Sequence, residues 1–337
     1  MISQMDRAMG ALAGVALGDA LGMPAQTLPR QDILSAYGRI SDFVAPFPGH
    51  PVSHGLSAAQ VTDDTEQTLL LAELLTSNPD GFDDHLWAQT LLDWEADVRD
   101  RGLLDLLGPS SKAALEALAA GASVKETGKN GTTNGAAMRI APVGIMMPAD
   151  DGVRLVEKVV EACQVTHSSR EAIAAASAVA MTISQGIAGS DLEAALPRAL
   201  EACKLGSKKG HPVGEAHMET RISEALEAAT DGGEEALLKT TGNSVASRES
   251  VAAAFGIAWL ANGDPWQAAL LAANFGDDTD TIGAIACSMV GACSGLTAFP
   301  TDKINQVLQV NNLNLEPVAA SLLRVRDNKS GDRRSTQ

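Results

Sequence analysis

Residues 274–295 read "NFGDDTDTIGAIACSMVGACSG". Three aspartates, Asp277, Asp278 and Asp280, crowd in front of a run of small apolar residues. Acidic and hydroxyl side chains gather at helix starts, where they meet free N–H groups and the positive end of the helix dipole. A helix is therefore expected over about 279–294, with Gly283, Gly291 and Gly295 on nearly one face. A glycine inside a helix costs roughly 1 kcal/mol relative to alanine, so a stripe of them points to the close approach of another backbone. The N-terminal stretch "MDRAMGALAGVALGDALG" supplies a partner over residues 5–22. Its Gly10, Gly14, Gly18 and Gly22 fall four apart, on one face of a helix. These two helices are expected to pack closely beneath whatever the aspartates form.

The rest of the chain supports an all-α fold. Hydrophobic residues make up 45% of the 337 positions, enough for a sizeable core, and aromatics only 3%. Alanine, the best helix former, is abundant, and strand-favouring residues are sparse. After a loop-rich region at 23–60, helical patterns follow "VTDDTEQ" and recur near 82–97, 110–121, 151–163, 168–188, 190–204, 214–230, 247–262, 265–273 and 315–326. "TGNSV" could hold a short extended piece. No linker or repeat divides the chain, so one compact domain over 1–326 with a polar tail over 327–337 is expected.

The formal net charge of −17 argues against general nucleic-acid binding. Cys163, Cys203, Cys287 and Cys293 form no C-x-x-C pair and read as buried thiols in a reducing cytoplasm. Asp6 and Asp19 interrupt the N-terminal apolar run, which is read as a mature helix and not a signal peptide. No other window reads as an uncharged membrane span.

A second acidic cluster, "VTDDTEQT", occupies residues 61–68. Either cluster alone could be a helix cap. Together they offer more oxygens than capping needs, and carboxylates packed closely cannot all stay ionised without a cation. The donors are all oxygen, which suits Mg²⁺, Mn²⁺ or Ca²⁺ and not zinc. If the fold brings the two helix starts face to face, they could hold one ion or a bridged pair.

The segments "GALAGVALGDALGMPAQ", "TDDT", "TNGAAMRIAPVG", "VTHSSREA" and "NFGDDTDTIGAIACSMVGACSG" span residues 10–295. In this order they resemble the ADP-ribosylglycohydrolase family, which includes the dinitrogenase reductase-activating glycohydrolase and the ADP-ribosylarginine hydrolases. The resemblance implies a mostly monomeric all-α fold with a binuclear Mg²⁺ or Mn²⁺ centre. It implies metal ligands at Thr62, Asp63, Asp64, Asp278, Asp280 and Thr281. Asp277 stands where many relatives have glycine and is left out of that set. The implied reaction is cleavage of the N- or O-glycosidic bond between ADP-ribose and its acceptor, a protein or a small ribosyl substrate, with Asp63 and Asp280 at the reacting centre. It also implies substrate contacts for Asn134 and Gly135 in the loop "TGKNGTTNGAAMR", for His167 and for Asp19. From the residues alone, the loop could equally be a tight turn before a buried helix. His167 could be structural, and Asp19 could cap a neighbouring helix. His50 and His54 read as solvated loop residues.

One departure stands out. Many relatives read G-D-A-L-G-x-P-x-E, with the glutamate in the active centre, and here the matching residue is Gln26. Glutamine can hydrogen-bond but takes no proton at neutral pH. Three readings stay open: another carboxylate or a metal-bound hydroxide replaces it, the substrate is a smaller nucleoside-like N-glycoside, or the protein binds ADP-ribose and hydrolyses it poorly.

Overall fold

The computed structural model describes residues 2–103 and 107–334. The helices in order are α1 (Gln4–Gly22), α2 (Arg30–Tyr37), α3 (Asp63–Ser77), α4 (Asp84–Asp100), α5 (Pro109–Ala119), α6 (Val124–Thr127), α7 (Gly135–Met138), α8 (Ala141–Met146), α9 (Gly152–Cys163), α10 (Arg170–Ala188), α11 (Leu192–Gly206), α12 (Met218–Thr241), α13 (Ser247–Leu260), α14 (Pro265–Ala273), α15 (Thr279–Ser294), α16 (Thr301–Val310) and α17 (Leu315–Arg334). Among the described residues, extended pairing is limited to isolated bridges, Leu28 with Asp277, Thr133 with Ala246 and Ser169 with His211. The second of these lies beside "TGNSV".

The centre is the antiparallel pair α1–α15, the most extensive helix contact in the molecule. Their backbones touch where the glycines lie. A Cβ on Gly10 would stand 2.3 Å from the Gly291 carbonyl oxygen, on Gly14 2.2 Å from that of Cys287, and on Gly18 2.1 Å from that of Gly283. One turn further, a Cβ on Gly22 would meet the Thr279 carbonyl oxygen at 2.4 Å and the Asp280 nitrogen at 2.5 Å. The glycine register thus runs in steps of four along α1 and ends at the first turn of α15. α10, α13 and α14 also pack against α15, and α17, α8 and α3 against α1, so both central helices are buried nearly all round.

Several expected boundaries shift. The region 23–60 contains α2, and α8 and α16 lie where no helix was expected. α12 continues past "DGG" to Thr241, with a kink at Gly233 (φ 66°, ψ −152°) that only glycine adopts readily. α17 runs on to Arg334, so part of the expected polar tail is helical. Residues 335–337 lie outside the described set. α1 and α10 are long and apolar enough to cross a bilayer, and for α10 this departs from the sequence reading. Inside the fold most of each is buried. All four cysteines are free and buried.

Gly18→Ala places a methyl inside the Gly283 backbone. The expected loss is ~3 kcal/mol or more, against a gain of about 0.5–1 kcal/mol at an unpacked helical glycine. Thermal denaturation checks it, and an unchanged or raised melting temperature would contradict the contact.

Candidate metal centre

The two acidic clusters form the N-termini of α3 and α15, and the fold brings them together: the Thr281 hydroxyl lies 3.5 Å from Asp64 Oδ2. Neither cluster is consumed by capping its own helix. Thr62 occupies the N-cap of α3 without a side-chain cap bond. The cap comes instead from α1. Asp19 Oδ1 accepts the Thr62 hydroxyl at 2.7 Å, and Oδ2 accepts the Thr62 N–H at 2.9 Å, the Thr65 N–H at 3.1 Å and the Thr65 hydroxyl at 2.5 Å. Asp278 holds the N-cap of α15, again without a side-chain cap bond. Its Oδ2 accepts a short bond from the Asn134 amide, which also donates to Ser250 Oγ at 2.9 Å.

Asp280 Oδ1 accepts the Thr281 N–H at 2.9 Å and Asp64 Oδ2 the long Thr281 hydroxyl contact, but among the described residues no cation neutralises Asp63, Asp64 and Asp280 by a direct ion pair. Burial pushes all three well above the usual carboxylate range. Asp19 and Asp278 push Asp63 further; Asp63, Asp19, Asp280 and Asp278 push Asp64; Asp278, Asp19 and Asp63 push Asp280. Burial also raises Asp278 to about 7, against the Asn134 hydrogen bond, and Asp19 to about 6, against its threonine donors. The Asp64 Oδ1 atom is buried without a hydrogen-bond partner. Buried oxygen donors, an orphaned carboxylate oxygen and mutual repulsion fit a hard divalent cation. Among the described residues, no three His, Cys, Asp or Glu side chains already stand at metal-holding distances from one another.

One buried cation faces the cluster from behind. Arg139 is 1% exposed and donates to Gln67 Oε1 and to Thr166 Oγ1, with its guanidinium 5.7 Å from the centre of the Trp87 ring. Burial lowers it to about 10, while Cys163, Asp63 and Asp64 pull the other way.

A cleft of about 170 Å³ opens on the cluster. Asp63, Asp278, Asp280 and Thr281 line it, with Gln26, Asn134 and Gly135. Asp63 is only half-buried, so it is the carboxylate of α3 that faces the opening. Thr62 and Asp64 lie deeper and do not line it. A larger cavity of about 590 Å³ lies further along α3, against α4 and α17, and contains neither acidic pair.

Two residues expected to contact substrate, Asp19 and His167, do not line this cleft. Asp19 is fully buried and its carboxylate is engaged in capping α3. His167 is fully buried too; its Nε2 lies 3.0 Å from Thr133 Oγ1 and its Nδ1 2.8 Å from Thr166 Oγ1. Burial and then Arg139 hold it neutral. His167 supports the loop beneath Gly135, where an added Cβ would strike its ring at 2.8 Å. Gln26, Asn134 and Gly135 do reach the cleft. Sequence reading missed Arg139, Ser53 and Ser250. A lone arginine within "AAMRIAPVG" was the available signal for the first. Asp277 stays outside the cluster: with φ 55° it turns the loop, and its N–H donates to the Leu28 carbonyl.

The raised carboxylates set the pH behaviour of the metal-free fold. For Asp19 and Asp278 the stability contribution is full below the unfolded value near 4 and is lost as pH rises through about 6 to 7. Asp278 alone would account for up to about 4 kcal/mol. The metal-free chain should melt higher at pH 5 than at pH 7.5. Asp278→Asn should flatten that slope, and saturating Mg²⁺ should remove it. A slope that Asp278→Asn leaves wholly intact would contradict its assignment to this carboxylate.

The chain matches the ADP-ribosylglycohydrolase family over residues 2–331. It is 34% identical to the uncharacterized protein YegU of Escherichia coli, across 96% of this chain and 98% of that one. It is 29% identical to the ADP-ribosylarginine hydrolase Tri1 of Pseudomonas putida, across 90% and 74%. A solved structure, an ADP-ribosylglycohydrolase-related protein complex, superposes with a TM-score of 0.68 at 27% identity, covering 97% of this chain and all of the other. In sequence and in fold, the chain belongs to the ADP-ribosylglycohydrolase family.

Proposed function

We propose that the chain is a metal-dependent glycosidase that cleaves the N- or O-glycosidic bond of an ADP-ribosylated substrate and releases ADP-ribose. Two Mg²⁺ or Mn²⁺ ions would be held by Thr62, Asp63, Asp64, Asp278, Asp280 and Thr281. The observation that carries this reading is the meeting of two helix starts whose buried carboxylates repel one another, with an unpartnered Asp64 oxygen, beside a cleft. When bound, such ions orient a ribose diol and acidify a water.

The chain's own groups supply the rest. Glycosidic cleavage builds positive, oxocarbenium-like charge on the ribose. Asp63 and Asp280 in the cleft wall present negative charge to it. Asp63, half-buried at the cleft opening, is the α3 carboxylate suited to accept a proton from the attacking water. Asn134 fixes Asp278, and Gly135 lets the cleft loop pack directly against the His167 ring. The reading describes a monomeric cytoplasmic enzyme; four free, buried thiols support a reducing compartment.

A second reading is favoured by the cleft volume of about 170 Å³, well under the roughly 300–1,000 Å³ of ordinary ligand pockets. It is hydrolysis of a smaller nucleoside-like N-riboside. Both are tested by one panel: ADP-ribosylarginine, an O-linked ADP-ribosyl peptide and free nucleosides, with Mg²⁺, Mn²⁺ or EDTA. The proposal expects turnover of an ADP-ribosyl substrate that EDTA abolishes. Asp278→Ala should cut it by at least ~100-fold, as loss of a ligand does. Turnover of nucleosides alone would replace the first reading with the second. Tight ADP-ribose binding without any turnover would make the protein a binding module.

A further inference from the structure

Gln26 follows a tight turn, Met23–Ala25, at the end of α1, and its side chain reaches the cleft beside Asp63 and Asp280. Its amide is not free to turn. Nε2 donates to Ser53 Oγ at 2.8 Å, and the Ser53 hydroxyl donates its single proton to the Met23 carbonyl at 2.9 Å. A serine whose proton is so committed can only accept from its other neighbour. The NH₂ group of Gln26 must therefore face Ser53, and Oε1, which accepts no hydrogen bond among the described residues, is left to the cleft that Gln26 lines.

Ser53 is itself held rigidly. It is fully buried, and its N–H donates to His50 Nδ1 at 2.9 Å, as does that of Val52 at 3.2 Å. Two donors on Nδ1 leave the His50 proton on Nε2. The His50 ring lies 5.3 Å from that of Phe47, and its backbone N–H returns to the Phe47 carbonyl at 3.0 Å. The segment from Phe47 to Ser53 is thus a folded support whose polar end fixes one amide.

We infer that Ser53 is a positioning residue that presents the Gln26 carbonyl oxygen as a neutral, fixed acceptor for one hydroxyl of the substrate's ribose. This rests on the proposed reading that the cleft receives the ribose of ADP-ribose. Its logic is complementarity of protons. The surrounding aspartates and the ions they would hold engage oxygen lone pairs or carry charge of their own. A ribose hydroxyl bound through its oxygen still has a proton to place. Gln26 Oε1 takes that proton in a hydrogen bond without adding another carboxylate to a crowded cluster, and without removing it.

The test is calorimetric binding of ADP-ribose, and of two analogues each lacking one distal ribose hydroxyl, to the full chain in Mg²⁺. The unaltered chain should lose ~10-fold in affinity for one analogue, the size of a single neutral hydrogen bond. Ser53→Ala should bind ADP-ribose ~10-fold more weakly and no longer distinguish that analogue. Ser53→Thr, which keeps the hydroxyl, should restore the distinction. A thermal melt accompanies each variant, and Gln26→Met carries the same test while leaving the Ser53–Met23 bond intact. If Ser53→Ala or Gln26→Met distinguishes the analogues as well as the unaltered chain, the role is overturned. Equal binding of all three ligands by the unaltered chain removes this role alone. If the unaltered chain binds none of them, the ADP-ribose reading falls, and this role with it.

Discussion

The backbones of α1 and α15 approach so closely that no side chain fits between them, and the acidic site depends on that approach. Gly18 meets Gly283, and Gly22 meets the peptide between Thr279 and Asp280. The contact sets the height of α15 relative to α1. Asp19 sits between those two glycines on α1, so the same contact that fixes the start of α15 also aims a carboxylate at the start of α3. One helix pair thereby places both halves of the cluster. The four glycines of α1 forgo about 4 kcal/mol of helix propensity for this, and the burial of both helices offsets it.

Around that frame the chain orients its charged groups with hydrogen bonds from neutral partners and leaves charge unmet where an ion would sit. Asp19 takes four donors, Asp278 takes the Asn134 amide, and Arg139 stands behind Asp63 and Asp64 held by Gln67 and Thr166. A protein seeking only stability would not gather four further carboxylates, three of them buried, beside Asp19 with a single cation behind them. Their cost in the metal-free fold supports the proposed cation site.

Much of this was legible in the sequence. Residues with special demands repeat there at the right spacing: glycines four apart on α1, their counterparts on α15, and Asp–Thr clusters before two helices. Most long helices were legible for the same reason, since alanine-rich runs between polar breaks have few alternatives. What stayed hidden depends on contacts between distant segments. Nothing local says that α3 is capped by Asp19 from α1, so "TDDT" looked able to cap itself. His167 read as a substrate contact through the family resemblance, with a structural role open, and its burial behind Thr133 and Gly135 favours the supporting part. Ser53, in a polar stretch, gave no sign of its buried bond to Gln26. Short helices such as α2, α8 and α16 escaped because a few turns carry too little periodicity.

The central claim is that the two helix starts form one cation site. Calorimetric titration of Mn²⁺ into EDTA-stripped chain at neutral pH tests it most directly. The account predicts binding of two ions per chain with release of protons, because carboxylates raised to about 7 in the metal-free fold must ionise to bind. It also predicts loss of that binding in both Asp64→Asn and Asp280→Asn, one variant from each helix. Binding that survives either substitution, or no binding at all, would contradict it.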